Sequence, residues 1–229
     1  MRHLRILLAI FLSLAPAAQA GTPVDEEVIC PVGKKKFTIT GTMSCSGSGT
    51  TMSLRRITSC DFVTELPVCP DNGLPVYREF DAAEIKQLKA FLKTDAYQTL
   101  LLQSDYYRAF AIEQQLKGAG TSETYWLLQR GLWHDYDKMV VAPGFYDLFL
   151  QEATLEKDRI SKDDKPYMVA SVAYQFGLAG NNTIAKAWLK EAKSLSDGSD
   201  FIEKYIKAVS GCLGKMSKDR CHPEAEFTP

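Results

Sequence analysis

The sequence predicts a mainly α protein, an antiparallel helical array with a small disulfide-stapled β module at its N-terminal side. Three observations predict it. Four of the six cysteines fall between Cys30 and Cys69, in a stretch of turns and short extended runs. From Asp81 onward, apolar residues recur at helical spacing between capping residues and glycine stops. Ahead of both lies a leader with the layout of an export signal. The division that follows is 1–20 as signal peptide, 21–80 as the cysteine-rich β module and 81–229 as the helical domain.

In the leader, Arg2 and Arg5 give a basic start and Ile6 to Leu14 is almost wholly apolar. Ala18-Gln19-Ala20 offers a small-x-small cleavage site, with Gly21 as the first mature residue. The apolar run of about nine residues is well short of the ~20 that span a bilayer. No cysteine follows the cleavage site, which argues against a lipid anchor. Cleavage leaves about 209 residues and takes the formal charge from −1 to −3. Such a nearly neutral chain gives no electrostatic case for nucleic acid or anionic lipid. No later segment approaches membrane-spanning length, so the expected product is soluble and periplasmic or secreted, with no membrane insertion after cleavage.

Cys30, Cys45, Cys60, Cys69, Cys212 and Cys221 all survive cleavage. An even number in an oxidising compartment reads as disulfides. Six cysteines allow about 15 pairings, and spacing alone does not choose among them. Cys212 and Cys221, close neighbours after the last helix candidate, are placed to pair locally. The other four then belong to the N-terminal module.

Within that module, Lys35 to Thr40 alternates β-branched or aromatic residues with polar ones, a strand pattern. Ser44 to Thr51 is rich in Ser and Gly and reads as a loop. Phe62 to Val68 is a second extended candidate, with Pro67 marking an edge. Asp71-Asn72-Gly73 is a turn in which Gly73 supplies a positive φ. Leu74 to Phe80 is a third extended run. The unit has too few apolar residues to fold unaided, so a cross-link or a metal is expected to hold it.

Three pieces of the module resemble the start of the DUF2225 proteins, a bacterial family of unassigned function. They are Cys30-Pro31-Val32-Gly33 with Lys36-Phe37, Ser59-Cys60-Asp61-Phe62, and Val68-Cys69-Pro70-Asp71-Asn72-Gly73. The resemblance covers about 50 residues and implies a zinc-ribbon-like start joined to tetratricopeptide-like helices. The chain departs from the family where it matters for a metal: Gly33 and Asn72 stand where each Cys-Pro corner would carry its second cysteine. A structural zinc site wants four ligands, usually from two Cys-x2-Cys corners. What the resemblance implies is a Cys30–Cys69 disulfide in place of the ion, with Cys45–Cys60 as a second staple. The latter closes a loop of about 15 residues, worth roughly 3 kcal/mol in the chain-entropy model. The competing reading keeps zinc on Cys30, Cys45, Cys60 and Cys69. A redox role lacks a Cys-x-x-Cys pair.

The helical body begins with Asp81 as N-cap and Glu84 completing a capping box, ahead of Ile85, Leu88, Phe91 and Leu92. Thr94 or Asp95 caps a short second piece through Tyr97, Leu100 and Leu101. Ser104 precedes a helix over Tyr106 to Lys117, with Phe110, Ala111 and Ile112 inward, stopped by Gly118-Ala119-Gly120. Thr121 and Ser122 cap the next, with Tyr125, Leu128, Leu132 and Trp133 on one face. Another starts around Pro143-Gly144 and runs through Phe145, Leu148, Phe149 and Leu155 to about Ile160. Pro166, tolerated in a first turn, opens Tyr167 to Ala179. Gly180-Asn181-Asn182 turns the chain into a return helix over Thr183 to Leu195. This pair resembles one tetratricopeptide unit through Ala173, Phe176, Gly180, Ala185, Leu189 and Ala192. One unit cannot bury its own face and about three are needed for a solenoid, so a compact antiparallel array is expected. Phe201, Tyr205, Ile206 and Val209 form a last amphipathic helix.

Chemistry-bearing motifs are sparse. No His-Glu-x-x-His, Gly-x-Ser-x-Gly or phosphate-cradling glycine motif occurs. His134, with Asp135 and Asp137 nearby, is the one constellation that could serve a hydrolase. His222 and Asp163-Asp164 read as solvated loop residues. Tyr107, Trp126 and Trp133 belong to a dense aromatic group around one helix pair and would make a partner-binding patch if they face outward. The sequence therefore assigns no catalytic residue, metal ligand or cofactor. It predicts a non-catalytic envelope protein that binds a protein partner through its helical domain, with a hydrolase or a zinc-binding module as the alternatives.

Overall fold

The structure, a computed structural model, describes residues 22–60, 63–196, 198–216 and 218–229. The expected signal peptide lies outside the described residues. Two strands open the chain, β1 (Pro23–Ile29) and β2 (Lys36–Thr42), followed by β3 (Gly47–Thr51) and β4 (Arg56–Thr58). The helices are α1 (Ala82–Phe91), α2 (Asp95–Leu100), α3 (Asp105–Lys117), α4 (Ser122–His134) and α5 (Tyr136–Val140). They continue with α6 (Phe145–Lys157), α7 (Lys165–Leu178), α8 (Asn182–Leu195) and α9 (Asp200–Cys212). A 3-10 turn at Asp219–Cys221 and the two-residue β5 (Glu226–Phe227) end the chain. The protein is mainly helical, with small antiparallel sheets, as the sequence predicts.

The helices start where side chains satisfy their first free N–H groups. Asp81 and Glu84 form the expected capping box on α1. Thr94, Ser104, Thr121 and Asn181 each accept from the backbone N–H three residues on, opening α2, α3, α4 and α8. Pro166 sits in the first turn of α7. Gly118, at φ +83°, ends α3 in a conformation that a side chain would strain. α5 has no counterpart in the sequence reading; Asp135 caps it immediately after α4 ends. α7 is the hub. Its stretch from Met168 to Gly177 is buried throughout, and α6, α8 and α9 pack on it.

The β region differs from expectation in three places. Gly47–Thr51, read as loop, is β3, the centre of a sheet ordered β4-β3-β5. Its second partner is the C-terminal Glu226–Phe227, a pairing that no local pattern announces. Pro23–Ile29, assigned no structure, pairs antiparallel with β2 from Pro23 opposite Thr42 to Ile29 opposite Lys36. The extended runs expected at Phe62 to Val68 and Leu74 to Phe80 form no strand among the described residues; one bridge, Val68 to Pro75, joins them, and Phe62 lies outside the described residues. Pro67, Pro70 and Pro75 each remove a donor that a ladder would need.

The cysteines pair as Cys30–Cys69, Cys45–Cys60 and Cys212–Cys221, each with Cα atoms 5.6 Å apart. The first is buried with Leu74, Leu88, Tyr97 and Ile112, so it belongs to a core shared with α1, α2 and α3. Around it, Asn72 donates its side-chain N–H to Val32 O at 3.2 Å, and Lys35 pairs with Asp71 at 2.6 Å. Gly73 takes the expected positive φ, +69°, and a Cβ there would meet Leu101 at 2.5 Å.

Beside this core lies a buried ion cluster. Arg78 donates from Nη1 and Nη2 to the two carboxylate oxygens of Glu84, both at 2.9 Å, and from Nη2 to Glu113 at 2.7 Å. The Tyr77 hydroxyl donates to the same Glu113 oxygen at 2.8 Å, and Lys117 reaches Glu84 at 2.8 Å. The cluster fastens the end of the N-terminal segment to α1 and α3. The β3–β4 turn and the C-terminal 3-10 turn are seated on the other helices by three donors: Trp133 Nε1 to Ser53 O (2.8 Å), Tyr205 Oη to Met52 O (2.7 Å) and Tyr174 Oη to Cys221 O (2.6 Å).

Candidate functional site: an aromatic cavity between α4, α7 and α9

Helix α6 packs against both α4 and α7. On another side, α4, α7 and α9 line an open cavity of about 550 Å³ with the β3–β4 hairpin. Helical spacing puts Trp126, Gln129 and Trp133 on one stripe of α4, at steps of three and four residues. The same rule aligns Tyr167 and Ser171 on α7. Phe201 comes from the first turn of α9, and Leu54 from the hairpin.

The walls are rings. Trp126 and Trp133 lie 6.4 Å apart between centroids, and Tyr125 meets Trp126 edge-on at 5.1 Å. Across the cavity, Tyr167 and Phe201 lie 5.9 Å apart. Both indoles on α4 are fixed by hydrogen bonds: Trp126 Nε1 donates to Glu156 Oε1 at 3.2 Å, and Trp133 Nε1 to Ser53 O. Glu156 is buried and also accepts from Ser122 Oγ at 2.8 Å.

Two polar groups break the apolar lining. Gln129 and Ser171 are 1 % and 4 % exposed. Tyr125 Oη donates to Gln129 Oε1 at 3.4 Å. Burial, reinforced by the charge of Glu156, pushes the Tyr125 phenol well above its usual range, so it stays a donor. Gln129 Nε2 and Ser171 Oγ have no hydrogen-bond partner. Leaving such groups unpaired in a protein interior costs about 1–3 kcal/mol each. Asp164, exposed, stands at the mouth of the cavity.

The His134 constellation is placed differently. His134 is exposed, its ring 5.5 Å from Tyr106, in a smaller cleft of about 360 Å³. Asp135 does not orient it. Its carboxylate accepts from Lys138 N at 3.1 Å as the α5 cap and pairs with Lys138 Nζ at 2.9 Å, which holds it below the usual carboxylate range. Asp137 is exposed and outside the cleft lining. Ser104 spends its hydroxyl on the α3 cap and on Met139 Sδ. The cleft thus contains no nucleophile–base pair held by a third group. Among the described residues, no group of three or more His, Cys, Asp or Glu is placed to hold a metal ion.

Of the predicted partner-binding residues, the structure brings Trp126 and Trp133 together in the cavity. Tyr107 is elsewhere, half-buried on α3 with its ring 5.7 Å from Phe110. The sequence reading missed Gln129, Ser171, Tyr167 and Phe201. A signal existed for Ser171, a hydroxyl inside the apolar run Met168–Phe176. Compared with known proteins, the chain matches no family model, no curated protein and no solved structure.

Proposed function

We propose that this is an exported protein of the cell envelope, periplasmic or secreted, that binds a protein partner through its helical domain and carries out no catalysis itself. The observation that carries the reading is the aromatic cavity. It is a concave, mostly apolar site with indole walls fixed by hydrogen bonds, the make-up of a recognition pocket. Trp and Tyr in such pockets dominate the energetics of protein interfaces. Three disulfides fit an oxidising environment, in line with the leader read from the sequence.

The test is affinity capture from the native envelope with the tagged full-length protein and its Trp126→Ala variant. The reading expects a discrete partner with the parent protein and at least a tenfold loss with the variant, at equal folded amounts. A partner retained equally by the variant contradicts it.

A further inference from the structure

We infer that the Cys45–Cys60 disulfide is a reversible thiol–disulfide exchange site, opened by a reduced dithiol that attacks Cys45 Sγ. It stands whether or not the helical domain docks a partner. The three disulfides are not equally accessible. Cys30, Cys69, Cys212 and Cys221 are buried, so a thiol reaches their sulfurs only when the core opens. Cys45 is exposed and Cys60 half-buried. Exposed disulfides are the labile ones, whereas sheltered ones persist as structure. Cys45 lies two residues before β3 and Cys60 two residues after β4, so the bond closes the open end of that hairpin. The hairpin has other fastenings. Beside the two cysteines, Ser59 N–H donates to Ser46 O at 2.9 Å and Ser46 N–H to Ser59 Oγ at 3.0 Å. At the turn, Trp133 and Tyr205 hold Ser53 and Met52, and β5 pairs with β3. The two sulfurs therefore stay close after the bond breaks, and no Cys-x-x-Cys spacing is needed to bring them together.

The surroundings set the direction of attack. Cys45 Sγ is the accessible sulfur, and Cys60 leaves as the thiolate. Arg55, which pairs with Glu224, and Arg56 line the same hollow as Cys60. Thr58 Oγ1 donates to Cys60 O and lies 4.0 Å from Cys60 Sγ. Cationic neighbours favour a thiolate, and a more acidic leaving thiol speeds exchange. In the first step the attacking thiolate forms an S–S bond with Cys45, and the Cys45–Cys60 bond breaks with its electron pair on Cys60. Cys60 takes up the proton that the attacking thiol released. The second thiol of the dithiol then displaces Cys45, which leaves as a thiolate and is protonated in turn. The sum is one dithiol oxidised to its disulfide and one disulfide of this protein reduced to two thiols, a two-electron exchange that runs back against an oxidised dithiol pool.

The test treats the folded, disulfide-intact protein with dithiothreitol in the absence of denaturant. Samples taken over time are quenched with N-ethylmaleimide and mapped by peptide mass. Cys45 and Cys60 should be alkylated together, at least about tenfold faster than the other four cysteines, as accessibility governs exchange. The circular dichroism of the fold should hold through that fast phase, and oxidised dithiothreitol should restore the same pair. With glutathione as a monothiol probe, the first adduct trapped should sit on Cys45. Replacing Cys45 and Cys60 together by Ser should abolish the fast phase. One common rate for all six, a buried pair that reacts first, loss of the fold as Cys45–Cys60 opens, or a first glutathione adduct on Cys60 would each overturn the proposal.

Discussion

Two buried polar regions of this protein are built on opposite terms. At Arg78, both carboxylates are buried and the guanidinium is half-buried, and they are bound to one another, to Tyr77 and to Lys117. At Gln129 and Ser171, buried side chains of two residues that line the aromatic cavity leave a donor and a hydroxyl with no partner. The first arrangement closes on itself and can only fasten one part of the chain to another. The second leaves hydrogen-bonding capacity unused in the interior. The His134 cleft, which the sequence offered as a catalytic candidate, falls on the closed side, because Asp135 and Ser104 already serve helix ends.

Breaking the closed region should cost stability and leave recognition intact. Arg78→Met leaves the buried Glu113 carboxylate with only the Tyr77 hydroxyl, while Glu84 keeps Lys117 and the Asp81 N–H; the loss, for a partly exposed arginine, should reach about 3 kcal/mol, the low end for breaking a buried pair, read by urea unfolding. Partner capture per folded molecule should not change. Acid probes the same cluster. Hydrogen bonds from Arg78, then from Lys117 and the Asp81 N–H, outweigh burial and lower the Glu84 carboxyl to about 2. A folded value below the unfolded one means that Glu84 stabilises the fold above about pH 4.5 and that this contribution drains away as pH falls toward about 2. In Arg78→Met the loss over this window should be smaller.

The disulfide beside the cluster comes next in size. Replacing Cys30 and Cys69 together by Ser opens a loop spanning 39 residues, worth about 4 kcal/mol at most in the chain-entropy model. Thermal unfolding should show a loss of about 2–4 kcal/mol. Retention of the parent stability would mean that the bond is incidental to the shared core.

Ser171→Ala should behave the other way round. Removing a buried hydroxyl that has no partner should be neutral or stabilising by up to about 1 kcal/mol, read by urea unfolding. A destabilisation of several kcal/mol would put Ser171 in the closed class and erase the contrast. The smallest effect is expected for His134→Ala, within about 0.5 kcal/mol in stability and without change in capture, as for an exposed residue outside any network.

The helices were legible because their signals are local. Asp81 with Glu84, Thr94, Ser104 and Thr121 each act within one turn, and the structure uses all of them. The short α5 escaped because the same Asp135 that caps it also ends α4. The sheets were poorly legible because their partners are remote: Thr50 and Thr51 become strand by pairing with Phe227 and Glu226 at the far end of the chain. The Cys212–Cys221 disulfide followed from the closeness of the two cysteines along the chain, whereas Cys30–Cys69 and Cys45–Cys60 followed from a resemblance, and the first of these is met in the structure as a core element. Trp126 and Trp133 could be picked out as aromatics on one helix. Gln129 and Ser171 could not be recognised as unpaired, since that depends on where α4 and α7 lie about α6.

The most direct test of the cavity as the recognition site is site-specific photocrosslinking in the native envelope. A benzophenone side chain is placed at Ile160, in the cavity lining, or at Leu102, exposed at the rim of the His134 cleft. The predicted result is a discrete protein adduct from position 160 that disappears with Trp126→Ala, and none from position 102. An adduct from 102 alone, or one from 160 that persists without the Trp126 ring, would contradict the assignment.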